Sequence, residues 1–348
     1  MKVVMTLLVR DEADIVEEHI TFHLAVGVDF IIATDNASTD GTTEILETYA
    51  KDGHVHRVSL PDGPFSQTEV VTQMARLAAT RFGADWVVNS DADEFWWARK
   101  GTLKELLNAV PRRFGSVRGM WRNFVARPER AGSFAERMTV RSQTMTSGPH
   151  PFNPHFKTVH RASPEVEVGG GNHDVIGRGL TPLFGWYPID ILHFPIRSLD
   201  QFERKFMRWW QITAVDGEAS NPYYNLVRDA HQEGRIAELY DPFLVDDEQL
   251  SRGLADGTLV EDTRLREALR SLRRQDTAHL EVPESEVDRG YLVELGSLED
   301  HSPFVRAQRS IETLEARVSR LENGIARRTS RQWRANVARL ARRTGSRG

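Results

Sequence analysis

The first ninety residues alternate between short apolar runs and amphipathic segments. The run Val3–Val9 is continuous and rich in β-branched residues, a pattern typical of a strand covered on both faces. After it, Val16, Ile20 and Leu24 recur at four-residue spacing, which predicts a helix. We expect Asp11 to cap that helix and Gly27 to end it.

The same alternation continues further along the chain. It predicts strands at 30–34, 55–60 and 86–89 and helices at 42–51 and 68–82. Strands and helices that alternate with short connections favour an α/β layer fold with a parallel sheet and right-handed crossovers.

Beyond Asp93 the periodicity weakens. It predicts helices at 103–110 and 199–215, the second capped by Ser198, sheet at 117–126, 137–142 and 189–194, and a loop-rich stretch at 148–179. We therefore predict an α/β domain at 1–245, a charged, weakly periodic helical appendage at 246–304 and a basic helical tail at 305–348.

The tail differs from the rest of the chain in charge. Residues 301–348 hold twelve arginines and three glutamates, a net charge of +9, whereas the whole chain carries −5. Within it, a stripe spaced three, four, three and four residues apart predicts a short coiled coil that joins subunits: Ile311, Leu314, Val318, Leu321 and Ile325. The arginine-rich stretch that follows could contact anionic lipid at a membrane, or could be a solvated end.

Composition excludes several classes of protein and site. The 348 residues contain no cysteine, which excludes a disulfide framework, a thiolate zinc site and a cysteine nucleophile. The start of the chain has neither the pattern of a signal peptide nor that of a membrane span, so we expect a cytoplasmic protein. Because the body is acidic and has no motif that combines basic and aromatic residues, we do not expect nucleic-acid binding.

Acidic residues follow three of the predicted strands. Glu12 follows the first, Asp35 the second, and Asp91 and Asp93 the fourth. Ligands of open α/β sheets bind beyond these carboxyl ends, and two aspartates two residues apart point the same way from an extended segment. Such oxygen ligands suit Mg²⁺ or Mn²⁺ held together with substrate phosphates. The alternative is a solvated acidic turn.

Four motifs, in order, resemble the landmarks of family 2-type glycosyltransferases, in particular the branch with an Asp-x-Asp-Glu-Phe motif. They are Val9-Arg-Asp-Glu12, Gly27-Val-Asp29, Asp35-Asn-Ala-Ser-Thr-Asp-Gly41 and Asp91-Ala-Asp-Glu-Phe95. The resemblance covers residues 1 to 100, continues weakly to about residue 210 and leaves out the last hundred residues.

This resemblance implies a GT-A fold, with a mixed sheet flanked by helices, that binds a nucleoside diphosphate sugar and a divalent cation. It implies that Asp35 contacts the base or ribose and that Arg10 and Glu12 line the nucleotide pocket. Asp91 would face the ribose or a metal-bound water, and Asp93 would bind the metal. It further implies transfer to a glycan or glycolipid hydroxyl, with inversion.

An inverting transfer needs a general base near the acceptor hydroxyl. Relatives supply an acidic residue from the second half of the domain, and the candidates here are Asp174 and, less favoured, Asp190. His173 could orient Asp174 or be the base itself.

Other polar residues have two interpretations each. His193 could complete the metal site or contact a phosphate, or it could be a hydrogen-bonded core histidine. Lys157, Arg197 and Lys205 could hold the diphosphate or be surface charges, and Lys157 is the strongest candidate. His19 and His23 have helical metal-ligand spacing, but with no third ligand we predict that they pack in the core. Trp96 and Trp97 could stack on an acceptor sugar or be buried.

Two other classes of function compete with the glycosyltransferase. A metal-dependent hydrolase of phosphoesters or nucleotide sugars could use Asp91, Asp93 and His193, and would need no acceptor. A non-catalytic sugar-binding protein that oligomerises through its tail would bind the donor without turnover.

Overall fold

A computed structural model describes residues 1–274, apart from 62, 64, 130–131, 145–155, 184–185, 216 and 220. All of them lie in one compact unit, Met1–Val287. The predicted coiled coil, the basic tail and the second half of the predicted appendage lie outside the described residues.

Helices and strands alternate as expected at the start of the chain. The strands that the structure describes are β1 Val3–Val9, β2 Phe30–Asn36, β3 Val55–Leu60, β4 Trp86–Ser90, β5 Glu94–Ala98, β6 Ser116–Asn123, β7 Val140–Ser142, β8 Phe156–Arg161, β9 Glu167–Val168, β10 Val175–Ile176, β11 Pro182–Leu183, β12 Ile189–His193, β13 Ala214–Val215, β14 Glu218–Ala219 and β15 Leu259–Glu261. The helices are α1 Val16–Ala25, α2 Thr42–Lys51, α3 Gln67–Thr80, α4 Leu103–Ala109, α5 Phe134–Arg137, α6 Leu199–Thr213, α7 Pro222–Gln232, α8 Ile236–Tyr240, α9 Asp247–Asp256 and α10 Arg264–Arg273.

The main sheet is mixed. Its order is β3-β2-β1-β4-β8-β6-β12-β5, with β11 beside β6. The first four of these strands are parallel, as predicted for the first ninety residues. Beyond them, β8 runs antiparallel to β4 and β6, and β5 runs antiparallel to β12. The predicted α/β fold with a mixed sheet is therefore confirmed.

The predicted loop at 148–179 contains a central strand. β8 lies between β4 and β6, and its side chains from Lys157 to His160 are buried. The sequence His-Phe-Lys-Thr-Val-His has only two apolar residues and no regular alternation, and histidines, prolines and glycines surround it. Prediction of a loop was wrong here because the polar residues of β8 are buried by partners that are distant in sequence.

The predicted cap of α1 was also wrong. Asp11 lies before the helix in a left-handed conformation (φ 53°), and α1 begins only at Val16. The carboxylate of Asp11 instead accepts hydrogen bonds from the backbone N–H and hydroxyl of Thr39, at 2.7 and 3.2 Å. It thereby joins the segment after β1 to the segment after β2.

The described part of the predicted appendage packs on the main core. β15 pairs with β7, and Leu265 and Leu269 of α10 are buried in the same apolar cluster as β1 and α1. At the start of α10, Arg264 donates to the buried Asp190 of β12 at 3.0 Å. Residues 246–273 thus form no separate unit from the sheet. No helix among the described residues is long and apolar enough to cross a membrane.

If α10 is part of the core, Leu269→Ala should lower the free energy of unfolding by about 2–5 kcal/mol, because it leaves a cavity. Leu269 is 3 % exposed, whereas Leu254 on α9 is 44 % exposed. Leu254→Ala is therefore the matched control, with a change of about 0.5 kcal/mol or less. Urea unfolding measures both; equal effects of the two substitutions would contradict the packing of α10.

Candidate active site

The carboxyl ends of β4, β6 and β12 and the start of β5 meet at one place. In the sheet register His193 lies beside Glu94 on one side and beside Asn123 on the other. Asp91 and Asp93 lie in the turn between β4 and β5, and the N–H of Phe194 donates to the carbonyl of Asp93 at 2.8 Å. The strand order therefore brings residues 91–94 and residue 193 together, although a hundred residues separate them.

Asp93, Glu94 and His193 form a group suited to a metal ion. Each offers one ligand atom within 4.8 Å of the others, and all three side chains are buried. Nε2 of His193 lies 3.8 Å from Oδ2 of Asp93, and Nδ1 lies 2.7 Å from the side-chain oxygen of Asn123. The ring of Trp121 stacks on that of His193 at 4.2 Å between centroids. Asn123 and Trp121 thus fix the orientation of the imidazole.

Asp93 is ionised despite its burial. Its Oδ2 accepts from Nζ of Lys205 on α6 at 2.6 Å. Burial alone raises the pKa of this carboxyl, but the charges of Lys205, His193 and Arg197 outweigh burial and hold the pKa well below its usual range.

Lys157 of β8 forms ion pairs with two carboxylates of the site. It is 1 % exposed, and its Nζ lies 2.6 Å from Oδ2 of Asp91 and 2.9 Å from Oε1 of Glu94. Those two carboxylates raise the pKa of Lys157 although burial opposes them, so the ammonium stays charged. Burial raises the pKa of Glu94 to about 8; Lys157 opposes this rise, and Asp91 and Asp93 add to it.

Arg197 follows β12 and links this part of the chain to the segment that follows β1. It is 1 % exposed and binds Glu12 at 2.5 Å and Asp14 at 2.7 Å. Burial raises the pKa of Glu12 to about 7, against the charge of Arg197 and with that of Asp93. Arg197 and Lys157 are therefore enclosed by protein carboxylates and are not surface charges, which was one of the two interpretations that their sequence left open.

Asp35 at the end of β2 is bound within the protein. Its Oδ1 accepts from the N–H of Ser38 at 3.1 Å, and its Oδ2 accepts from the hydroxyl of Thr43 at 2.5 Å. The next residue, Asn36, is 3 % exposed, and its side-chain oxygen has no hydrogen-bond partner among the described residues. Arg10 donates to the carbonyl of Asn36 at 3.1 Å, which joins the ends of β1 and β2.

The loop after β9 reaches the same site. Asn172 is 2 % exposed, has a left-handed backbone (φ 60°) and donates from Nδ2 to Oδ1 of Asp91 at 3.2 Å. The ring of His173 meets the edge of Trp121 at 5.7 Å, and its Nδ1 lies 2.9 Å from the carbonyl oxygen of Phe156.

The two acidic candidates for the base have other partners. Asp174 forms an ion pair with Arg118, and its side chain is 59 % exposed. Arg118 lies three residues before Trp121 on β6, so the two side chains leave the strand on opposite faces. Asp190 is buried and bound by Arg99, Arg122 and Arg264, which hold its pKa well below the usual range against the effect of burial.

His19 and His23 pack in the core, as predicted. Both are 0 % exposed, and Nε2 of His23 accepts from the N–H of Trp96 at 3.0 Å. Trp96 and Trp97 are buried as well, which leaves neither ring available to stack on an acceptor sugar.

A cavity of about 370 Å³ opens along α6, the helix that carries Lys205. It lies between the segment after β1 and the helices α6 and α7, and its lining is polar apart from one methionine: Arg10, Asp11, Asp200, Glu203, Arg204, Met207, Arg208, Gln211 and His231.

Sequence reasoning missed several residues of this site. Glu94 is part of the acidic motif itself and could have been included from its position. Asn123 and Trp121 lie in a strand with no motif, and only the pairing of β6 with β12 reveals them.

Comparison with known proteins supports the glycosyltransferase interpretation. Residues 4–162 match the model of glycosyltransferase family 92. This segment contains β1 to β8 and therefore the acidic turn and Lys157. No curated protein matches the chain.

Solved structures give weaker matches. S. aureus TarS residues 1–349 in complex with UDP is 12 % identical, with 80 % of this chain and 88 % of that chain covered and a TM-score of 0.34. A second S. aureus TarS structure is 12 % identical, with 68 % and 43 % covered and a TM-score of 0.33.

Glucosyl-3-phosphoglycerate synthase from Mycobacterium tuberculosis, with Mn²⁺, UDP and glucosyl-3-phosphoglycerate, is 21 % identical, with 35 % and 44 % covered and a TM-score of 0.26. This chain thus covers less than half the length of the second TarS chain and of the synthase. The match of residues 4–162 bears out the prediction of a glycosyltransferase, and the mixed sheet agrees with the predicted α/β architecture.

Proposed function

We propose that the protein transfers a sugar from a nucleoside diphosphate sugar to an acceptor hydroxyl, with a divalent cation held by Asp93, Glu94 and His193. One observation carries this proposal: Nε2 of His193 faces Oδ2 of Asp93 at 3.8 Å in a buried cluster at the strand ends.

The donor atoms fit a cation. The side-chain oxygen of Asn123 accepts the Nδ1 proton of His193, so Nε2 can bind a cation once its own proton is released. Metal ligands bind in their deprotonated form, so a divalent ion beside Oδ2 of Asp93 would favour that release. The 3.8 Å separation of Nε2 and Oδ2 is shorter than two metal–ligand bonds of about 2.1 Å, so one ion can contact both.

Oxygen ligands with one imidazole suit Mn²⁺, and Mg²⁺ is the alternative. When bound, the cation would neutralise the charge that grows on the leaving diphosphate. The proposed nucleotide contacts stay Arg10, Glu12, Asp35 and Asp91, because the unpartnered oxygen of Asn36 beside Arg10 is buried within the protein.

For the general base, the geometry favours His173 over Asp174. Nδ1 of His173 points at the carbonyl oxygen of Phe156, so Nδ1 carries the proton and Nε2 is the basic atom. Asp174 pairs with Arg118 instead. His173 also lies against Trp121, the ring that stacks on His193. We assign an inverting mechanism to this arrangement.

The polar cavity beside α6 is the proposed acceptor entrance. It holds carboxylates, guanidinium groups and an amide, which match the donor and acceptor pattern of a glycan hydroxyl or a glycolipid head group. The predicted roles of the tail in self-association and lipid contact, and the cytoplasmic location, stay predictions.

Titration with UDP and Mn²⁺ tests the metal site. UDP should bind wild type at least about tenfold more tightly with Mn²⁺ than without it, and Asp93→Ala should abolish this difference. Asp52→Ala, an exposed aspartate at the end of α2, is the control and should bind as wild type does. Calorimetry measures all three, and metal-independent binding by wild type would contradict the proposal. Turnover of UDP-sugars that needs no acceptor would favour the hydrolase.

His173→Gln should lower the rate of UDP release from UDP-sugars by about 10²–10⁴-fold, because the basic nitrogen is lost. Its affinity for UDP should not change. Asp174→Asn should leave the rate within about threefold of wild type, since its carboxylate already pairs with Arg118. The opposite ranking of the two variants would return the role of base to Asp174.

Two substitutions of Asn172 distinguish the effect of its side chain from the effect of its backbone conformation. Both Asn172→Gly and Asn172→Ala remove the contact with Asp91 and should weaken UDP binding by a similar factor. Only alanine has to adopt the left-handed conformation at a cost, so it should be less stable than the glycine variant by about 1 kcal/mol. Calorimetry and urea unfolding measure the two effects; wild-type UDP affinity in the glycine variant would remove Asn172 from the site.

A further inference from the structure

Lys205 places a positive charge on the carboxylate that is proposed to bind the cation. Its Nζ lies 2.6 Å from Oδ2 of Asp93, the same oxygen that faces Nε2 of His193 at 3.8 Å. A second hydrogen bond from Nζ runs to the carbonyl of Pro195 at 3.2 Å. The ammonium thus already neutralises the oxygen that a divalent ion needs.

The two lysines of the site are held very differently. Lys157 is enclosed at 1 % exposure between two carboxylates, whereas the side chain of Lys205 is 22 % exposed where it contacts Asp93. Lys205 also extends from α6, the helix whose residues Arg204 and Arg208 line the polar cavity. Because part of the Lys205 side chain is exposed, it can leave Asp93 toward solvent, whereas the enclosed side chain of Lys157 cannot.

We propose that Lys205 is an exchangeable counter-ion: it neutralises Asp93 until the divalent cation binds, and the displaced ammonium then binds the diphosphate of the donor. This inference rests on the proposed metal-dependent transfer. It assigns to one side chain two successive partners, both of them negatively charged. The physical reason is that an ammonium and a divalent ion on one carboxylate oxygen repel each other, so binding of the ion releases the lysine.

The exchange predicts that removal of Lys205 changes the affinity for the cation in an unusual direction. A lysine that only supports the site would, when removed, weaken cation binding. A lysine that competes with the cation would, when removed, tighten it. The exchange also couples the two ligands, because the cation frees a positive group for the diphosphate.

Three variants test the exchange through Mn²⁺ affinity, measured by electron paramagnetic resonance of free Mn²⁺ without nucleotide. Lys205→Gln should bind Mn²⁺ about tenfold more tightly than wild type, and at saturating Mn²⁺ it should bind UDP several-fold more weakly. Lys205→Arg keeps the charge and should not gain Mn²⁺ affinity. Lys104→Gln is the matched control, because Lys104 pairs with Asp29 at 2.5 Å outside the cluster.

A measurement on wild type does not depend on whether the variants fold. An amine-reactive reagent followed by peptide mass spectrometry reports the accessibility of each lysine. Labelling of Lys205 should rise when Mn²⁺ is added and fall again when UDP is added, while labelling of Lys104 stays constant.

Each outcome of these experiments either supports or contradicts the exchange of Lys205. Tighter Mn²⁺ binding by Lys205→Gln, together with Mn²⁺-dependent labelling, supports the exchange. Equal or weaker Mn²⁺ binding by that variant, or labelling that does not respond to Mn²⁺, overturns it and leaves the metal site intact. If wild type and Lys205→Gln both fail to bind Mn²⁺, the proposed metal dependence itself is wrong and the exchange falls with it.

Discussion

Buried charges of opposite sign at the strand ends are the constraint on which the structure depends. Asp93 and Glu94 are buried at the end of the turn and the start of β5, and Asp91 beside them is partly exposed. Removal of one partner from such a pair leaves an uncompensated charge and costs several kcal/mol. Cations must therefore come from elsewhere in the chain, and Lys157, Arg197 and Lys205 supply them from β8, the end of β12 and α6.

This arrangement explains why the second half of the domain is needed by a site whose acidic motif lies in the first half. Lys157 can reach Asp91 only because β8 inserts between β4 and β6 as an antiparallel strand. His193 reaches Asp93 only because β12 runs beside β5. The mixed part of the sheet thus fixes side chains from distant sequence positions around the acidic turn.

The sequence predicted well what depends on local patterns. The first four strands, α2 from Thr42 to Lys51 and the Ser198 cap of α6 follow from apolar spacing and cap chemistry. It failed for β8, whose lysine and histidine are buried by partners that no local window contains. The site shows the same division. The motifs pointed to Asp93. In contrast, the enclosure of Lys157 and Arg197 and the position of Asn123 depend on tertiary contacts, as do the hydrogen bonds that Asp35 accepts.

The contact between Arg264 and Asp190 has a practical consequence for work on this protein. Asp190 lies three residues before His193 on the strand that presents the imidazole, and it binds Arg264 at the start of α10. A recombinant fragment that stops at residue 245 would lack both this guanidinium and the leucines of α10, which are buried in the same apolar cluster as α1. Shortened versions for crystallisation should therefore extend past residue 274, since otherwise low solubility or poor donor binding would be mistaken for evidence against the enzyme.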